Sequence, residues 1–253
     1  MRTQADHMQR PEARTGRDKQ RYDATTGARL VAVGIPLMLR AQTHSHGLSG
    51  IEVLVVTSRK HGSDRWTFPK GGWEKDETAV QAAVREVYEE GGAVCEPLAS
   101  FPTAEALDLL SRAAVPVFDD ESMALSLAQG PSIQHPSQLP VLLAQKIDSP
   151  KRSSHAFFLL GVNRLLEQEE FPEGDERRRQ LIPIEHFASS INSNAVEFRK
   201  TDSGAPAAGG GAAEASSALP PLREEHLAVI RLIADNMRML DLLKTALTQG
   251  RPS

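Results

Sequence analysis

This sequence predicts an α/β or α+β sandwich, in which a mixed β-sheet is flanked by helices. Several runs rich in β-branched residues have the length of strands. The segment 78–90 and the C-terminal segment both have apolar residues at helical spacing. Many strands combined with few helices are typical of a sheet covered by helices. The 253 residues, of which 40% are hydrophobic and 25% charged, suit one or two soluble globular domains.

Most of the predicted elements are strands. Each is a short run of apolar, often β-branched residues, several of them bounded by turn-forming residues. These runs are RLVAVGIPLML (29–39), IEVLVVTS (51–58), RWTF (65–68), PVLLAQKI (140–147), HAFFLLGVN (155–163) and RRRQLIPI (177–184). EHFASSI, residues 185–191, predicts a short helix. Together these elements favour one mixed sheet.

Composition divides the chain into a folded domain and less regular segments. Residues 1–20 are polar and charged without periodicity, which predicts a disordered N-terminal tail. The folded domain is predicted over 21–198, with a long insertion at about 99–139. Residues 201–221 have the Gly-, Ala- and Ser-rich composition of a flexible linker. Residues 222–249 predict one amphipathic helix, which packs on the domain's own core or, alternatively, binds a second subunit or a partner.

Charge and apolar content exclude several classes of protein. A net charge of −4 excludes a globally basic nucleic-acid binder, and the basic residues lack interleaved aromatics for base stacking. The single cysteine, Cys95, excludes an intrachain disulfide and fits a reducing compartment. The longest apolar run, 30–39, is too short to span a bilayer, and the N-terminus has no secretory signal. We therefore expect a cytoplasmic or nuclear protein that binds neither membrane nor nucleic acid, and its oligomeric state stays open.

The segment FPKGGWEKDETAVQAAVREVYEEGGA (68–93) carries the strongest functional pattern. Its middle predicts a helix, because apolar residues recur at i, i+3, i+4 and i+7 from Val80. Glu86, Glu89 and Glu90 follow the spacing i, i+3, i+4, so they project together near the helix C-terminus. Carboxylates there cost about 0.3–1 kcal/mol each, because the C-terminus carries partial negative charge. Helix formation alone therefore does not explain these acids.

A bound divalent cation would explain them. Clustered carboxylates and a nearby backbone carbonyl are hard oxygen ligands, which suit Mg²⁺ or Mn²⁺. Gly71 and Gly72 precede the helix and allow a tight loop that brings such a carbonyl close. Gly91 and Gly92 end the helix, where a left-handed residue is common. A solvated acidic face without any ligand is the alternative interpretation.

The spacing of these charged and glycine residues resembles the Nudix box of the Nudix hydrolases. Gly71 is followed after five residues by Glu77, and after seven more by the run REVYEEGGA, residues 85–93. Every charged and glycine position of the pattern is filled, whereas the family usually has a bulky aliphatic residue where Ala93 stands. The resemblance implies the Nudix α/β/α sandwich and the hydrolysis of a phosphoanhydride by metal-activated water.

The same resemblance implies roles for individual residues. The implied ligands of Mg²⁺ or Mn²⁺ are three glutamates and a loop glycine, namely Glu86, Glu89, Glu90 and Gly71. The implied catalytic residues are Glu86, Arg85 and Glu89, with Arg85 orienting the acids and Glu86 preferred as the base. Glu77 and Gly92 are predicted to be structural, Glu77 by stabilising the loop.

Basic residues near the box indicate the substrate, because arginine and lysine bind phosphate groups. The stretches 21–37, 53–74 and 170–187 resemble the diphosphoinositol and diadenosine polyphosphate phosphohydrolases, and that resemblance extends over about 21–98 and 140–195. The predicted substrate-binding residues are Arg29, Arg59, Lys60, Arg65, Lys70, Gly71, Gly72, Arg177 and Arg179. We expect a polyanionic small molecule, first a diphosphoinositol polyphosphate, with diadenosine polyphosphates and inorganic polyphosphate as further substrates.

Two alternatives stay open on sequence grounds. One is a Nudix pyrophosphatase of another specificity, for ADP-ribose, a nucleoside diphosphate derivative or an mRNA cap, in which Trp66 or Trp73 stacks on a base. The other is a non-catalytic Nudix module that binds a polyphosphate or a protein. Such modules usually lose carboxylates of the box, and this chain retains all of them.

Overall fold

The computed structural model describes residues 12–24, 26–39, 50–59, 65–98, 142–146, 153–188, 222, 224–235 and 237–249. The predicted insertion at 99–139 and the predicted linker at 201–221 lie outside these residues. In the described part of the chain, no helix is long and apolar enough to span a membrane.

The described strands form one mixed sheet. Their bounds are β1 Arg29–Leu39, β2 Ile51–Thr57, β3 Trp66–Thr67, β4 Lys70–Gly72, β5 Ala93–Pro97, β6 Leu142–Lys146, β7 Ser153–Leu165 and β8 Arg179–Pro183. The main path of the sheet runs β3-β2-β1-β7-β5, while β4 pairs with β1, β6 with β7 and β8 with β2. The pairing of β1 with β7 is parallel, and the other pairings between these strands are antiparallel.

Strand β1 pairs with two strands along one of its edges. Near its start, Val31 is opposite Gly72 and Val33 is opposite Lys70, so β4 lies against this half. Near its end, Leu37 is opposite Val53 of β2. The short strand β4, which carries the predicted metal loop, is thereby fixed to the centre of the sheet.

Helices cover both faces of the sheet. Alternate residues of a strand point to opposite faces, and Leu30 and Ala32 pack with helix α1, Ala79–Gly91. Val31 and Val33 pack on the other face, with helices α2, Glu224–Ala234, and α3, Met237–Gln249. A short 3₁₀-helix, Ile184–Phe187, follows β8 and packs on α2. The predicted α/β sandwich is confirmed.

The C-terminal segment forms two helices where one was predicted. Helix α2 ends at Ala234, and the amide of Asp235 still donates to the carbonyl of Arg231. Asp favours turns and caps over helix interiors, which explains why the helix ends before Asp235. Both helices pack on the domain's own core through buried apolar side chains, among them Val229, Ile230, Ile233, Leu243 and Leu247.

Residues 12–20 differ from the predicted disordered tail. They lie along the loop between β4 and α1 and pair with it through backbone hydrogen bonds. Gln20 forms an antiparallel bridge with Glu74, and the amide of Lys75 donates to the carbonyl of Lys19. The polar composition of this segment gave no sign of these contacts, because they are made by the backbone.

Candidate active site

Helix α1 has defined ends, which fixes where its acids lie. The hydroxyl of Thr78 accepts from the amide of Gln81, and the Gln81 side chain accepts from the amide of Thr78, so the two residues form a capping box. At the other end Gly92 is left-handed, with φ of 59°. The guanidinium of Arg179 donates to the carbonyls of Gly91 and Gly92, at 3.2 and 3.0 Å. This cation partly offsets the negative end of the helix.

Arg85 connects the loop before the helix to two of the acids. Its guanidinium binds both carboxylate oxygens of Glu77, at 3.0 and 2.8 Å, and donates to the carbonyl of Gly72 at 3.1 Å. Its Nη1 donates to Glu86 at 2.6 Å and to Glu89 at 3.3 Å. Arg85 therefore lies between the acids, and the orienting role predicted for it stays a prediction.

Glu77 holds the loop between β4 and α1. Its Oε1 accepts from the amide of Glu74 at 3.1 Å, and its backbone carbonyl accepts from Nε1 of Trp73 at 2.8 Å. With the two bonds from Arg85, this side chain connects the loop to the helix.

Glu86 and Glu90 are buried and repel each other. Only 8% of Glu86 and 6% of Glu90 are exposed. Burial, together with the charge of Glu90, raises the pKa of Glu86 to about 8 although Arg85 is bound to it. Burial also raises the pKa of Glu90, although Arg177 binds one oxygen and the Lys70 amide donates to the other at 3.0 Å. Two buried carboxylates of this kind are destabilised by their own charge.

Glu89 shares Arg85 with Glu86 and has a further partner near the N-terminus. Its Oε1 accepts from the backbone amide of Arg14 at 3.2 Å, and its Oε2 accepts from Arg85 at 3.3 Å. Within the described ranges, no three His, Cys, Asp or Glu side chains come together in a group that could hold a metal ion. Glu86 and Glu89 share Nη1 of Arg85, whereas Glu90 is bound by Arg177. The metal-binding role predicted for the three glutamates together stays a prediction.

A hard divalent cation fits the pair Glu86 and Glu90 best. A Cβ atom added at Gly71 would overlap the carboxylate of Glu86, so only glycine lets the loop backbone approach that acid. Oxygen donors of two neighbouring carboxylates suit Mg²⁺ or Mn²⁺. The metal-binding role of these residues stays a prediction.

Among the predicted basic residues, Arg29 and Lys70 lie close to the acids. Nε of Arg29 donates to Gln20 at 2.7 Å. Burial, followed by the neighbouring charge of Arg17, lowers the pKa of Arg29, while Glu86 and Glu90 act in the opposite direction. Lys70 is half-buried, and its charge favours the ionised form of Glu90. These two cations form the basic side of the site.

Arg177 is placed differently from the substrate-binding role predicted for it. It is buried, and it binds Glu90, Oε2 of Glu173 at 2.5 Å and the carbonyl of Thr57 at 2.7 Å. A guanidinium with three internal partners has few donors left for a substrate. Arg177 therefore supports Glu90 from behind, and Arg179 is likewise engaged at the helix end.

The other predicted basic residues lie further out. Arg59 is half-exposed and pairs with Glu173 at 3.1 Å and with Glu176 at 2.5 Å. Arg65 is exposed at the start of β3, and Lys60 lies outside the described residues. The structure thus brings together the acids, Arg85, Arg29 and Lys70, and leaves Arg59 and Arg65 at the periphery.

The two tryptophans differ in what they could bind. Trp73 is 1% exposed, and the guanidinium of Arg21 covers its ring at 4.7 Å, so this ring cannot receive a base. Trp66 is half-buried beneath Arg178, at 5.8 Å. Base stacking on Trp73, one of the alternatives that the sequence left open, is therefore excluded.

Sequence reasoning missed two residues that touch this region. Arg14 donates from Nη1 to Glu74 at 2.8 Å and to Asp76 at 3.1 Å, besides its amide bond to Glu89. His226 accepts from the amide of Phe68 at 2.9 Å. The only signal for Arg14 was a basic residue in a polar stretch, and His226 gave no signal beyond its place on a helix.

A cleft of about 710 Å³ opens between α1 and β5. Its lining includes Val80, Val84, Tyr88 and Val94 together with Arg85. Glu86 and Glu90 are not part of the lining, because they project from the opposite side of α1. The cleft is therefore separate from the acid pair.

The part of the chain that carries the acids and their loop matches a known protein family. Residues 28–130 match the family model described as the NUDIX domain. That range contains the whole box, the strands β1 to β5 and the helix α1. Over residues 28–130 the chain is therefore similar to the Nudix domain, and its sheet with helices on both faces has the arrangement of the Nudix fold.

Curated relatives match over the same region. Nudix hydrolase 21, chloroplastic, of Arabidopsis thaliana is 45% identical over 80 residues, covering 32% of this chain and 37% of the relative. Nudix hydrolase 12, mitochondrial, of the same plant is 46% identical over 87 residues, covering 32% and 40%. The RxLR effector protein CRE5 of Phytophthora infestans is 36% identical over 87 residues, covering 34% and 31%. The chain thus spans well under half the length of these relatives.

Solved structures are similar at lower identity. A NUDIX-family hydrolase from Clostridium perfringens has a TM-score of 0.43 and 15% identity, covering 85% of this chain and 97% of that chain. The Ap4A hydrolase of C. elegans has a TM-score of 0.32 and 13% identity, covering 88% and 99%. Both TM-scores are low, and the substrate of neither protein is transferred to this chain.

Proposed function

We propose that this protein is a divalent-metal-dependent Nudix hydrolase that cleaves a phosphoanhydride bond in a polyphosphorylated small molecule. Diphosphoinositol polyphosphates are the first candidate substrates, and diadenosine polyphosphates and inorganic polyphosphate follow. The observation that carries the proposal is the buried, mutually repelling pair Glu86 and Glu90, of which Glu86 packs against the glycine backbone at Gly71.

The acid pair supports a bound cation because its charge is otherwise unfavourable. Burial disfavours the ionised form of each carboxylate, and the charge of the neighbouring carboxylate adds repulsion. Glu86 and Glu90 would hold Mg²⁺ or Mn²⁺ together with the carbonyl of Gly71. Bound there, the cation would supply Lewis acidity and neutralise charge on phosphoryl oxygens.

The residues around the acids have separable tasks. Arg85 holds Oε1 of Glu86, and we assign the Glu86 carboxylate both to hold the cation and to accept the proton of the attacking water. Arg177 holds Glu90 in place from the interior, and the Lys70 amide holds it from the loop.

Cations beside the acids support a polyanionic substrate. Arg29 and Lys70 lie near Glu86 and Glu90, and Arg17 lies near Arg29. Like charges gathered beside a site raise each other's free energy, and a phosphate chain would relieve that repulsion. An arginine would bind phosphate oxygens through its planar fork, and a lysine as a point charge.

The test is phosphate release from a panel of substrates with Mg²⁺ or Mn²⁺. The panel contains a diphosphoinositol polyphosphate, diadenosine hexaphosphate, inorganic polyphosphate and ADP-ribose. Wild type is compared with Glu90→Gln and with Glu96→Gln, which makes the same change at an exposed position on β5. We expect turnover of the inositol substrate that falls at least about 100-fold in Glu90→Gln and is unchanged in Glu96→Gln.

Other outcomes separate the alternatives. Turnover of ADP-ribose alone would keep the Nudix chemistry and discard the inositol substrate. Binding of the diphosphoinositol polyphosphate without turnover of any substrate would favour a non-catalytic module and contradict the proposed hydrolysis.

A further inference from the structure

Helix α2 places a histidine in the core directly behind the loop of the active site. His226 is 0% exposed. Its Nδ1 accepts a hydrogen bond from the backbone amide of Phe68 at 2.9 Å. Its ring stacks on the ring of Phe68, with centroids 5.0 Å apart and planes 16° apart, and meets the edge of Phe157 at 5.6 Å.

The hydrogen bond defines the state of this histidine. A backbone N–H can only donate, so Nδ1 must be the accepting nitrogen and a neutral ring carries its proton on Nε2. The hydroxyl of Thr67 also lies 3.3 Å from Nδ1. A buried amide that loses its acceptor is unfavourable, so His226 holds the backbone at Phe68 in one position.

The three residues that follow Phe68 connect it to the acid pair through backbone contacts. The carbonyl of Pro69 accepts from the amide of Gly34 on β1 at 3.0 Å. The amide of Lys70 donates to Oε2 of Glu90 at 3.0 Å. Gly71 then packs against Glu86. A shift of the backbone at Phe68 would therefore move the donor to Glu90.

We propose that His226 is a positioning residue for the active site, which makes the C-terminal helix pair part of the catalytic scaffold. His226 acts through the backbone of residues 68–71, where it fixes the position of the Lys70 amide that donates to Glu90. The functional importance of Glu90 in this inference rests on the proposed function. The effect of His226 on the loop backbone does not depend on that function.

A second contact anchors the same segment. Leu222, which precedes α2, forms a parallel bridge with Trp66 on β3. The C-terminal segment therefore meets the chain at Trp66 and again at Phe68, just before the metal loop. Since His226 is 158 residues from Phe68 in sequence, helix docking and site geometry are coupled over most of the chain.

A matched pair of variants tests the role of the acceptor. His226→Asn keeps an acceptor oxygen, Oδ1, where Nδ1 stood, whereas His226→Leu has a similar shape and no acceptor. Both lose the ring, so the effect of lost stacking cancels between them. Ile233→Ala on the same helix is the control, because Ile233 is fully buried and belongs to the core on that face. Amide hydrogen exchange at Phe68 and Lys70, Mn²⁺ affinity, kcat and KM are measured for all four proteins.

We expect exchange at Phe68 and Lys70 to be at least about tenfold faster in His226→Leu than in His226→Asn. Mn²⁺ affinity and kcat should fall severalfold in His226→Leu, with KM little changed. Ile233→Ala should lower global stability without this local pattern. If His226→Leu does not fold, His226→Phe, which keeps a ring and lacks the acceptor, replaces it.

The role of His226 would be overturned if the Asn and Leu variants behaved alike. It would also be overturned if Ile233→Ala changed the Lys70 amide and Mn²⁺ affinity as much as His226→Leu. Failure of the proposed function has another signature, since wild type would then turn over no substrate. Exchange at the two amides still decides the positioning role in that case.

Discussion

The buried guanidinium of Arg177 binds the carboxylate of Glu90, which lies 87 residues earlier in the chain. The two side chains are 6% and 7% exposed. The same guanidinium also binds Glu173 and the carbonyl of Thr57. An arginine expected to receive substrate thus holds a predicted metal ligand in the interior.

Replacing Arg177 by Met should destabilise the protein strongly. Removing one partner of a buried ion pair leaves an uncompensated charge, which costs about 3–5 kcal/mol. Arg178→Met is the control, because Arg178 is exposed and lies over the ring of Trp66, a contact worth about 0.5–1 kcal/mol. Urea unfolding at neutral pH measures both variants. Equal losses of stability in the two would contradict the buried pairing of Arg177 with Glu90.

The metal-free protein should lose stability as the pH rises. The pKa of Glu86 is about 8 in the folded protein, whereas that of an unperturbed glutamate is 4.5. Between these values the folded state holds a proton that the unfolded chain releases, so the free energy of unfolding falls with rising pH. The stability that the proton on Glu86 contributes is fully present below about pH 4.5 and is lost as the pH rises through about 8.

Urea unfolding in the presence of a chelator, at several pH values in this window, measures that slope. Glu86→Gln should flatten it, because the amide does not titrate. A slope that is the same in wild type and Glu86→Gln would show that Glu86 is not the group responsible.

Replacing Gly71 by Ala should separate activity from stability. The added Cβ would overlap the carboxylate of Glu86, which is the mobile end of a side chain and can move away. We therefore expect stability to change by less than about 1 kcal/mol, because Ala also restricts the unfolded chain. Metal-dependent turnover should fall at least about tenfold, since Glu86 is displaced. Thermal unfolding and phosphate release measure the two effects, and unchanged turnover would contradict the close packing of Gly71 on Glu86.

Removing residues 222–253 should prevent stable folding of the domain. Val229, Ile230, Ile233, Leu243 and Leu247 are buried in the core with strand β1. The burial of each such side chain contributes about 1.5–3 kcal/mol to stability. The loss of all of them is comparable to the total stability of a typical domain, about 5–15 kcal/mol. Circular dichroism and thermal unfolding of the truncated protein measure this, with removal of 250–253 as the control. A cooperative transition near that of the full chain would contradict the role of the helices in the core.

Local patterns in the sequence predicted much of the fold and the centre of the site. The strand predicted at 29–39 is β1, Arg29–Leu39, and the helix predicted at 78–90 is α1, Ala79–Gly91. Both were visible because apolar residues recur with the period of the element and because caps and glycines mark the ends. The Nudix box was visible because its residues lie within one short stretch.

Features that depend on distant contacts could not be predicted in this way. The amide of Arg14 reaches Glu89 across 75 residues, and His226 reaches Phe68 across 158. Whether an arginine such as Arg177 faces substrate or the interior depends on packing and leaves no periodic signal. Strand β5, Ala93–Pro97, is too short for its alternation to stand out from the loop.

Mn²⁺ binding tests the central claim most directly, namely that Glu86 and Glu90 hold a divalent cation. Isothermal titration of the metal-free protein is compared for wild type, Glu86→Gln, Glu90→Gln and the exposed control Glu96→Gln. We expect one Mn²⁺ site of equal affinity in wild type and Glu96→Gln. Its affinity should be at least about tenfold weaker in each of the other two variants. Equal Mn²⁺ affinity in all four proteins would contradict a metal site at Glu86 and Glu90.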